Sequence, residues 1–321
     1  MRSSRFKASV EKYAMPLALV AFILLLQIFI PNAGLLAWTN LKTILLQTSV
    51  LGFLSLGLSF VMISGNSDIS FAGTLGMMGA LFTMAVNTGM GYLTSLVLII
   101  CIGMAVSLVI GLLVTRFGIS AFIVSIAFMF MGLGLERSFN EGITIWITNT
   151  RILDLGKTQW LSMYMFTWLL LTFFAIAFIV IRKTKLGFHL RIIGENINAG
   201  QEAGVRASRI KIIAFLIAGA MYAFAGSIEP IRMGGSIVGA GQSYMLPALA
   251  ACYLGSTMFT PGRVNILGTL IGSVFMTIIS NFMQLLSLPY YFSPLVQGLT
   301  LLLAVGISVF HGRGTIQQVK V

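Results

Sequence analysis

The side chains able to do chemistry are few. The chain has two histidines, His189 and His311, and two cysteines, Cys101 and Cys252. The histidines fall at the edges of apolar stretches, and no cysteine, histidine or acid cluster has metal-ligand spacing. No serine–histidine pair or aspartate pair lies within the apolar runs, as hydrolysis there would need. Catalysis thus fails by inventory, with no catalytic residue and no metal ligand to assign. No Gly-x-x-x-x-Gly-Lys-Ser/Thr occurs, so nothing in the sequence would cradle the phosphates of a nucleotide. The cysteines carry no pairing pattern and read as small packing residues.

What remains is a handful of ionisable groups beside apolar runs, where charge is costly and marks a pathway or a partner. Asp68 lies in "SGNSDIS" (64–70), with Asn66 and Ser70, a polar interruption between two apolar stretches. Such a break at membrane depth must be buried in protein or line a cavity. Asp68 either caps the following helix, which is the leading reading, or contacts a polar solute. Glu229 and Arg232 share "EPIR", where Pro230 is expected to end a helix and the two charges can pair. Glu136, followed by Arg137, is expected to start a loop.

The elements that hold these groups follow from composition. Of the residues, 58% are hydrophobic and 9% charged, with mean hydropathy +0.99; ordinary soluble domains carry roughly 25% charge. So few charges cannot cover a water-facing surface, and lipid must be the solvent. At about 20 apolar residues per crossing, the charge-free intervals hold about ten transmembrane helices. The expected fold is an all-α polytopic membrane protein, one membrane domain over residues 1–321. The apolar run 14–30 is long for a signal peptide and reads as an uncleaved first span.

Lysine and arginine concentrate at the N-terminus, over 182–211 and at the C-terminus, whereas the segment 136–160 mixes signs. The positive-inside rule puts both termini in the cytoplasm. The same asymmetry accounts for the net charge of +12 without any nucleic acid. Within 182–211, turn residues (Gly187, Gly194, Asn196) flank a short helix expected over 199–203 and stopped by Gly204. A short helix between two loops suits a surface groove of another protein.

Here the residues resemble the ribose-type ABC importer permeases. "TKLGFHLRIIGENINAGQEAGVRASRIKIIAFLIAGAMYAFAG" (184–226) is similar to that family's cytoplasmic loop and following helix. "SGNSDIS", "GISAFIVSIAFMFMGLGL" (118–135) and "ALAACYLGSTMFTPGRVNILGTLIG" (248–272) resemble three further family stretches, in order. The family's Glu-Leu-Asp before the last stretch is Met245, Leu246 and Pro247 here, so two carboxylates are missing: either the solute differs, or Pro247 starts a helix.

The resemblance implies the ABC importer permease fold in a bacterial inner membrane, and a transport subunit rather than an enzyme. It implies three partners: a cytoplasmic ATPase with two nucleotide-binding halves, an extracytoplasmic solute-binding protein, and a second permease, identical or related. ATP and Mg would be used by the ATPase, and this chain would bind no cofactor. Gly194, Asn196, Ala199, Gly204 and Arg206 would belong to the coupling loop. The solute expected is a monosaccharide or small polyol. Alternatives are a nucleoside, a furanose signal or a branched-chain amino acid in the same architecture. A secondary transporter driven by an ion gradient through Asp68 or Glu229 is the remaining class.

Overall fold

A computed structural model describes residues 34–260, 262–289 and 291–311, with isolated positions between 16 and 27. Most of the first expected span and both tails lie outside the described residues. The rest is overwhelmingly helical. Among the described residues, six helices are long and apolar enough to cross a membrane. They are α1 (Trp38–Ile63), α3 (Tyr92–Arg116), α4 (Ala121–Phe139), α6 (Met165–Lys183), α9 (Ala207–Met233) and α12 (Ile266–Leu285). Two further helices are apolar, the 17-residue α2 (Phe71–Asn87) and α13 (Phe292–His311). The stretch between Arg232 and Arg263, expected to hold one crossing, contributes only α10 (Ala240–Ser243) and the 12-residue α11 (Met245–Ser256). At 1.5 Å per residue α11 is about 18 Å long, short of the roughly 30 Å hydrocarbon core.

The centre of the bundle is α1, whose most apolar window is 83% buried. A helix apolar on every side belongs in an interior, and α1 packs against α6, α9, α11 and α12. The other organising helix is α9, which also packs against α2 and α3. By contrast only 28% of the α3 window is buried, leaving Leu93, Val97 and Val109 facing outward. That outward apolar face is what a lipid-facing helix requires.

With lipid tails as apolar as leucine, helices associate through close packing and internal hydrogen bonds. Glycine supplies the packing. Gly73 of α2 and Gly132 of α4 meet backbone to backbone, and Gly103 of α3 faces Gly219 of α9 in the same way. Gly255 of α11 and Gly268 of α12 form a third such pair. Buried hydroxyls turn back on their own helix: Thr48, Ser55, Ser59, Ser273 and Thr277 each donate to the carbonyl four residues earlier at 2.8–2.9 Å.

At one end of the bundle, residues 140–164 form a cap. It contains α5 (Thr150–Lys157) and the two-residue strands β1 (Ile145–Trp146), β2 (Gln159–Trp160) and β3 (Met163–Tyr164). β1 pairs antiparallel with β4 (Gly235–Ser236), which follows α9, and β2 pairs with β3. At the opposite end lie α7 (Lys185–Glu195) and α8 (Ile197–Glu202). The turns expected at Gly187 and Gly194 are instead helical positions of α7, because both glycines admit backbone: Gly187 the end of α6 at Ile181, Gly194 the end of α1 at Ile63. Pro230 does not end α9 either. The helix runs on to Met233 and is stopped by Gly234 in the left-handed conformation, φ +86°.

The glycine contacts make a test within one helix. Gly132→Val drives its side chain into the α2 backbone at Gly73, while Gly134, two residues on, has open space around it. Gly132→Val should lower the thermal unfolding midpoint in detergent, by an amount matching roughly 1–3 kcal/mol of overpacking. Gly134→Val should leave it unchanged.

Candidate functional site: a coupling face and a polar cavity

The residues singled out in the sequence fall at the two ends of the bundle, joined by α1 and α9.

At the first end, α8 stands exposed. Asn196 is its N-cap, accepting from the Asn198 and Ala199 N–H groups at 3.0 and 3.2 Å, a role for which asparagine is among the preferred residues. Gly204 follows the helix with φ +77°, a left-handed position that glycine adopts without strain. The helix spans Ile197–Glu202, two residues earlier than expected at its start. Ala199, Gly204 and Arg206 are exposed, whereas Gly200 is buried against Ile192 and Ile193 of α7. Arg206 also precedes α9 at its N-cap position. The short helix thus presents one face outward and rests the other on α7.

Behind it, α7 reaches into the bundle. The Gly194 Cα lies against the Ile63 carbonyl and against Gly65, itself left-handed at φ +81°. The break "SGNSDIS" and the segment around Gly194, about 130 residues apart in the chain, are therefore in direct contact. Asn66 reinforces the contact, its Oδ1 accepting from the Lys211 ammonium at 3.4 Å at the start of α9.

Asp68 is fully buried. Its Oδ1 accepts the Ser70 N–H at 2.8 Å and its Oδ2 accepts the Tyr222 hydroxyl at 3.1 Å. Ser70 occupies the N-cap position of α2, with no side-chain bond of its own to the helix N–H groups. The carboxylate thus organises the entry of α2 from two residues ahead, close to the expected capping role. It also ties that entry to the middle of α9, which the sequence did not reveal. Tyr222, wholly buried and packed against Phe71 and Gly57, is the partner that sequence reasoning missed.

At the second end is a cavity of about 540 Å³, within the roughly 300–1,000 Å³ of small-molecule sites. Glu229 and Arg232 line it and are paired, as their spacing suggested, at 3.0–3.2 Å through both Nε and Nη2. The Tyr244 hydroxyl donates to Glu229 Oε2 at 3.0 Å and accepts from Arg232 at 3.1 Å. The other polar groups on the wall are neutral, chiefly the amides Gln47, Gln284 and Gln297 with the hydroxyls Thr277, Ser280 and Ser293. They come from α1, α12 and α13. Pro247 also lines the cavity, in the first turn of α11 where a proline is tolerated. The position where the family pattern has a carboxylate therefore lies on this wall.

Glu136 is not the start of a loop. It sits buried in the last turn of α4, facing Gly76 of α2, and its Oε1 accepts the Gly239 N–H at 3.0 Å. Gly239 lines the cavity, so this carboxylate pins the segment that forms one cavity wall. The adjacent Arg137 disguised a buried acid as a loop. Among the remaining candidates, Cys252 is buried and donates its thiol to the Ser55 carbonyl at 3.4 Å, while Cys101 is exposed. His189 stands on α7 beside Phe188, and His311 closes α13. No group of three or more metal-ligating side chains occurs among the described residues.

An apolar, glycine-packed helical bundle with a polar cavity at one end and an exposed short helix at the other has the architecture of a polytopic membrane protein. Comparison with known proteins narrows the class. The family model described as "Branched-chain amino acid transport system / permease component" matches residues 40–305, and the chain belongs to that family. It is similar to the ribose import permease protein of Escherichia coli (strain K12), 29% identical over 90% of this chain and 91% of that one. The ribose import permease protein of Bacillus subtilis (strain 168) is 30% identical over 88% and 89%. The L-arabinose ABC transporter permease protein of Azospirillum brasilense is 29% identical over 83% and 78%. No solved structure matches the chain significantly. The resemblance to ribose-type importer permeases thus holds over nearly the whole length, and the chain is a multi-pass transport subunit of the bacterial inner membrane.

The buried carboxylate makes the sharpest test at this site. Asp68→Asn keeps an acceptor for the Ser70 N–H and a polar partner for Tyr222. Asp68→Leu strands both groups, at roughly 1–3 kcal/mol each. In detergent, the asparagine variant should melt close to wild type and the leucine variant many degrees lower.

Proposed function

We propose that this chain is the membrane subunit of an ATP-driven, binding-protein-dependent importer of a monosaccharide or related small polyol. The cavity at the Glu229 end carries this reading. Its one ion pair cancels its own charge, and the rest of its polar wall is amide and hydroxyl. Such a surface offers paired donors and acceptors to an uncharged, hydroxyl-rich solute. It offers no unpaired charge to the ammonium or carboxylate of an amino acid. The relatives named for ribose and L-arabinose support the same class, although the family description names branched-chain amino acids.

In this reading about ten helices cross the membrane, both termini are cytoplasmic, and α7, α8 and the nearby arginines face the cytoplasm. The partners are the ATPase with two nucleotide-binding halves, which uses ATP and Mg, the extracytoplasmic solute-binding protein, and a second permease. Gly194, Asn196, Ala199, Gly204 and Arg206 form the coupling loop. The ATPase grips the exposed face of α8, and its closure moves α8 and α7 together. Because Gly194 abuts Ile63 and Gly65, the movement passes to the ends of α1 and α2. Asp68–Tyr222 and Asn66–Lys211 carry it to α9. The two helices so moved, α1 and α9, supply Gln47, Glu229 and Arg232 to the cavity at the far end.

Proteoliposomes holding the permease, its ATPase and its binding protein test the reading. Labelled monosaccharide should accumulate only with ATP and binding protein present, and excess leucine should not compete. Accumulation of leucine, or uptake driven by an ion gradient without nucleotide, overturns it. Asn196→Trp places a bulky ring on the docking face; it should insert normally yet lower solute-stimulated ATP hydrolysis and transport at least about tenfold. Normal transport by that variant removes α8 from the coupling path.

A further inference from the structure

A second groove, of about 380 Å³, opens at the α7 end between α1, α6, α7 and residues 259, 260 and 262–267. Its lining divides in two. Met62, Ile63, Phe178, Ile181, Ile266 and Leu267 form an apolar wall drawn from three membrane-crossing helices. Arg182, Arg191 and Arg263 line the same groove from three different elements, with Glu195 as the one carboxylate on its wall.

Charge is not balanced there. Arg263 pairs with Glu195 at 2.7 Å. Among the described residues, neither Arg182 nor Arg191 forms an ion pair. Arg182 lies over the Phe178 ring at 4.7 Å, and Arg191 donates only to the Gly187 carbonyl, at 3.3 Å. Two guanidinium groups are thus held by neutral contacts, their charges unanswered, at the last turn of a membrane helix and on the short helix that follows it. An apolar wall ending in unanswered arginines at the height where a membrane helix emerges has the layout of a phospholipid: acyl chain below, phosphate above. Guanidinium is suited to bidentate phosphate binding, and basic pockets beside membrane helices take anionic headgroups.

We propose that this groove is a binding site for one anionic phospholipid, its phosphate between Arg182 and Arg191 and an acyl chain along Phe178 and Leu267. A free phosphate ion would have no use for the apolar wall. An acidic protein segment would leave that wall exposed to lipid. The site depends on membrane insertion alone and not on the proposed solute or on ATP coupling. Because Gly194 and Glu195 also line the groove, a lipid held there touches the segment that meets the end of α1.

Native mass spectrometry of the purified full-length permease in detergent tests the site, with phosphatidylglycerol and phosphatidylcholine offered at equal concentration. Phosphatidylglycerol should be retained in preference, by about tenfold or more if each arginine contributes as basic residues at membrane surfaces do. R182Q/R191Q should abolish the preference. R182K/R191K should keep much of it, and R151Q/K157Q at the opposite end should keep all of it. Equal retention of the two lipids, or an undiminished preference in R182Q/R191Q, overturns the proposal. So does protection against thermal unfolding by inorganic phosphate equal to that by phosphatidylglycerol. If R182Q/R191Q retains phosphatidylglycerol but no longer co-purifies with the ATPase, the groove is a protein-docking surface and the lipid assignment fails.

Discussion

The structure depends on one place where two helix ends meet with no side chain between them. Gly194 of α7 lies on the last carbonyl of α1 and on Gly65 just beyond it. A methyl group at Gly194 would collide with that carbonyl oxygen. The approach matters because α1 is the bundle's central helix, packed on four others. Whatever displaces α7 therefore displaces the interior rather than a peripheral loop. Buried packing at this density cannot absorb the movement by local compression.

Lipid as solvent explains why polar groups are placed as they are. Unpaired polar atoms cost several kcal/mol in hydrocarbon, so hydroxyls on α1 and α12 return to their own helices. A few also cross between helices: the Ser59 hydroxyl of α1 and the Thr269 hydroxyl of α12 are hydrogen-bonded at 2.9 Å, beside the Cys252 thiol of α11. Asn40 donates to Asn281 at 3.0 Å, joining the other ends of α1 and α12. Asp68 belongs to the same logic. The carboxylate is fully buried, yet both its oxygens accept hydrogen bonds from groups that would otherwise be stranded.

The sequence made the solvent, the positions of the long helices and a short helix within 182–211 legible, because hydropathy and charge are local properties. Gly204 as a stop was readable from residue type alone, whereas Asn196, read as a turn residue, is the N-cap of α8. Gly187 and Gly194 were misread as turns, since glycine's two uses, a free backbone and a missing side chain, look identical until a neighbour is known. Glu136 was hidden by Arg137, and Tyr222 by an unremarkable helical stretch. The cavity was invisible for a different reason. Its wall is drawn from α1, α9, α11, α12, α13 and the segment around Gly239, and no local pattern announces that Gln47 and Gln284 share a surface.

The separation of the two functional ends limits the mechanism available. α9 has 27 residues and α1 has 26, so each is about 40 Å long at 1.5 Å per residue. The buried hydroxyls along that distance, among them Thr48, Ser55, Ser273 and Thr277, donate to carbonyls of their own helices and so do not chain into a side-chain relay. A helix carries displacement over the same length as a unit, since its backbone bonds lie within itself. The α7 contact and the Asn66–Lys211 bond hold one end of the pair and the Asp68–Tyr222 bond holds the middle of α9, while toward the other end the two helices contribute the cavity's ion pair and Gln47. Their packing through Gly57 against Tyr222 and Ala218 leaves little room for independent sliding. In the proposed coupling, movement at the α7 end reaches the cavity as a shift or tilt of α1 and α9 together, relative to the capping segment 140–164 and the Glu136–Gly239 bond.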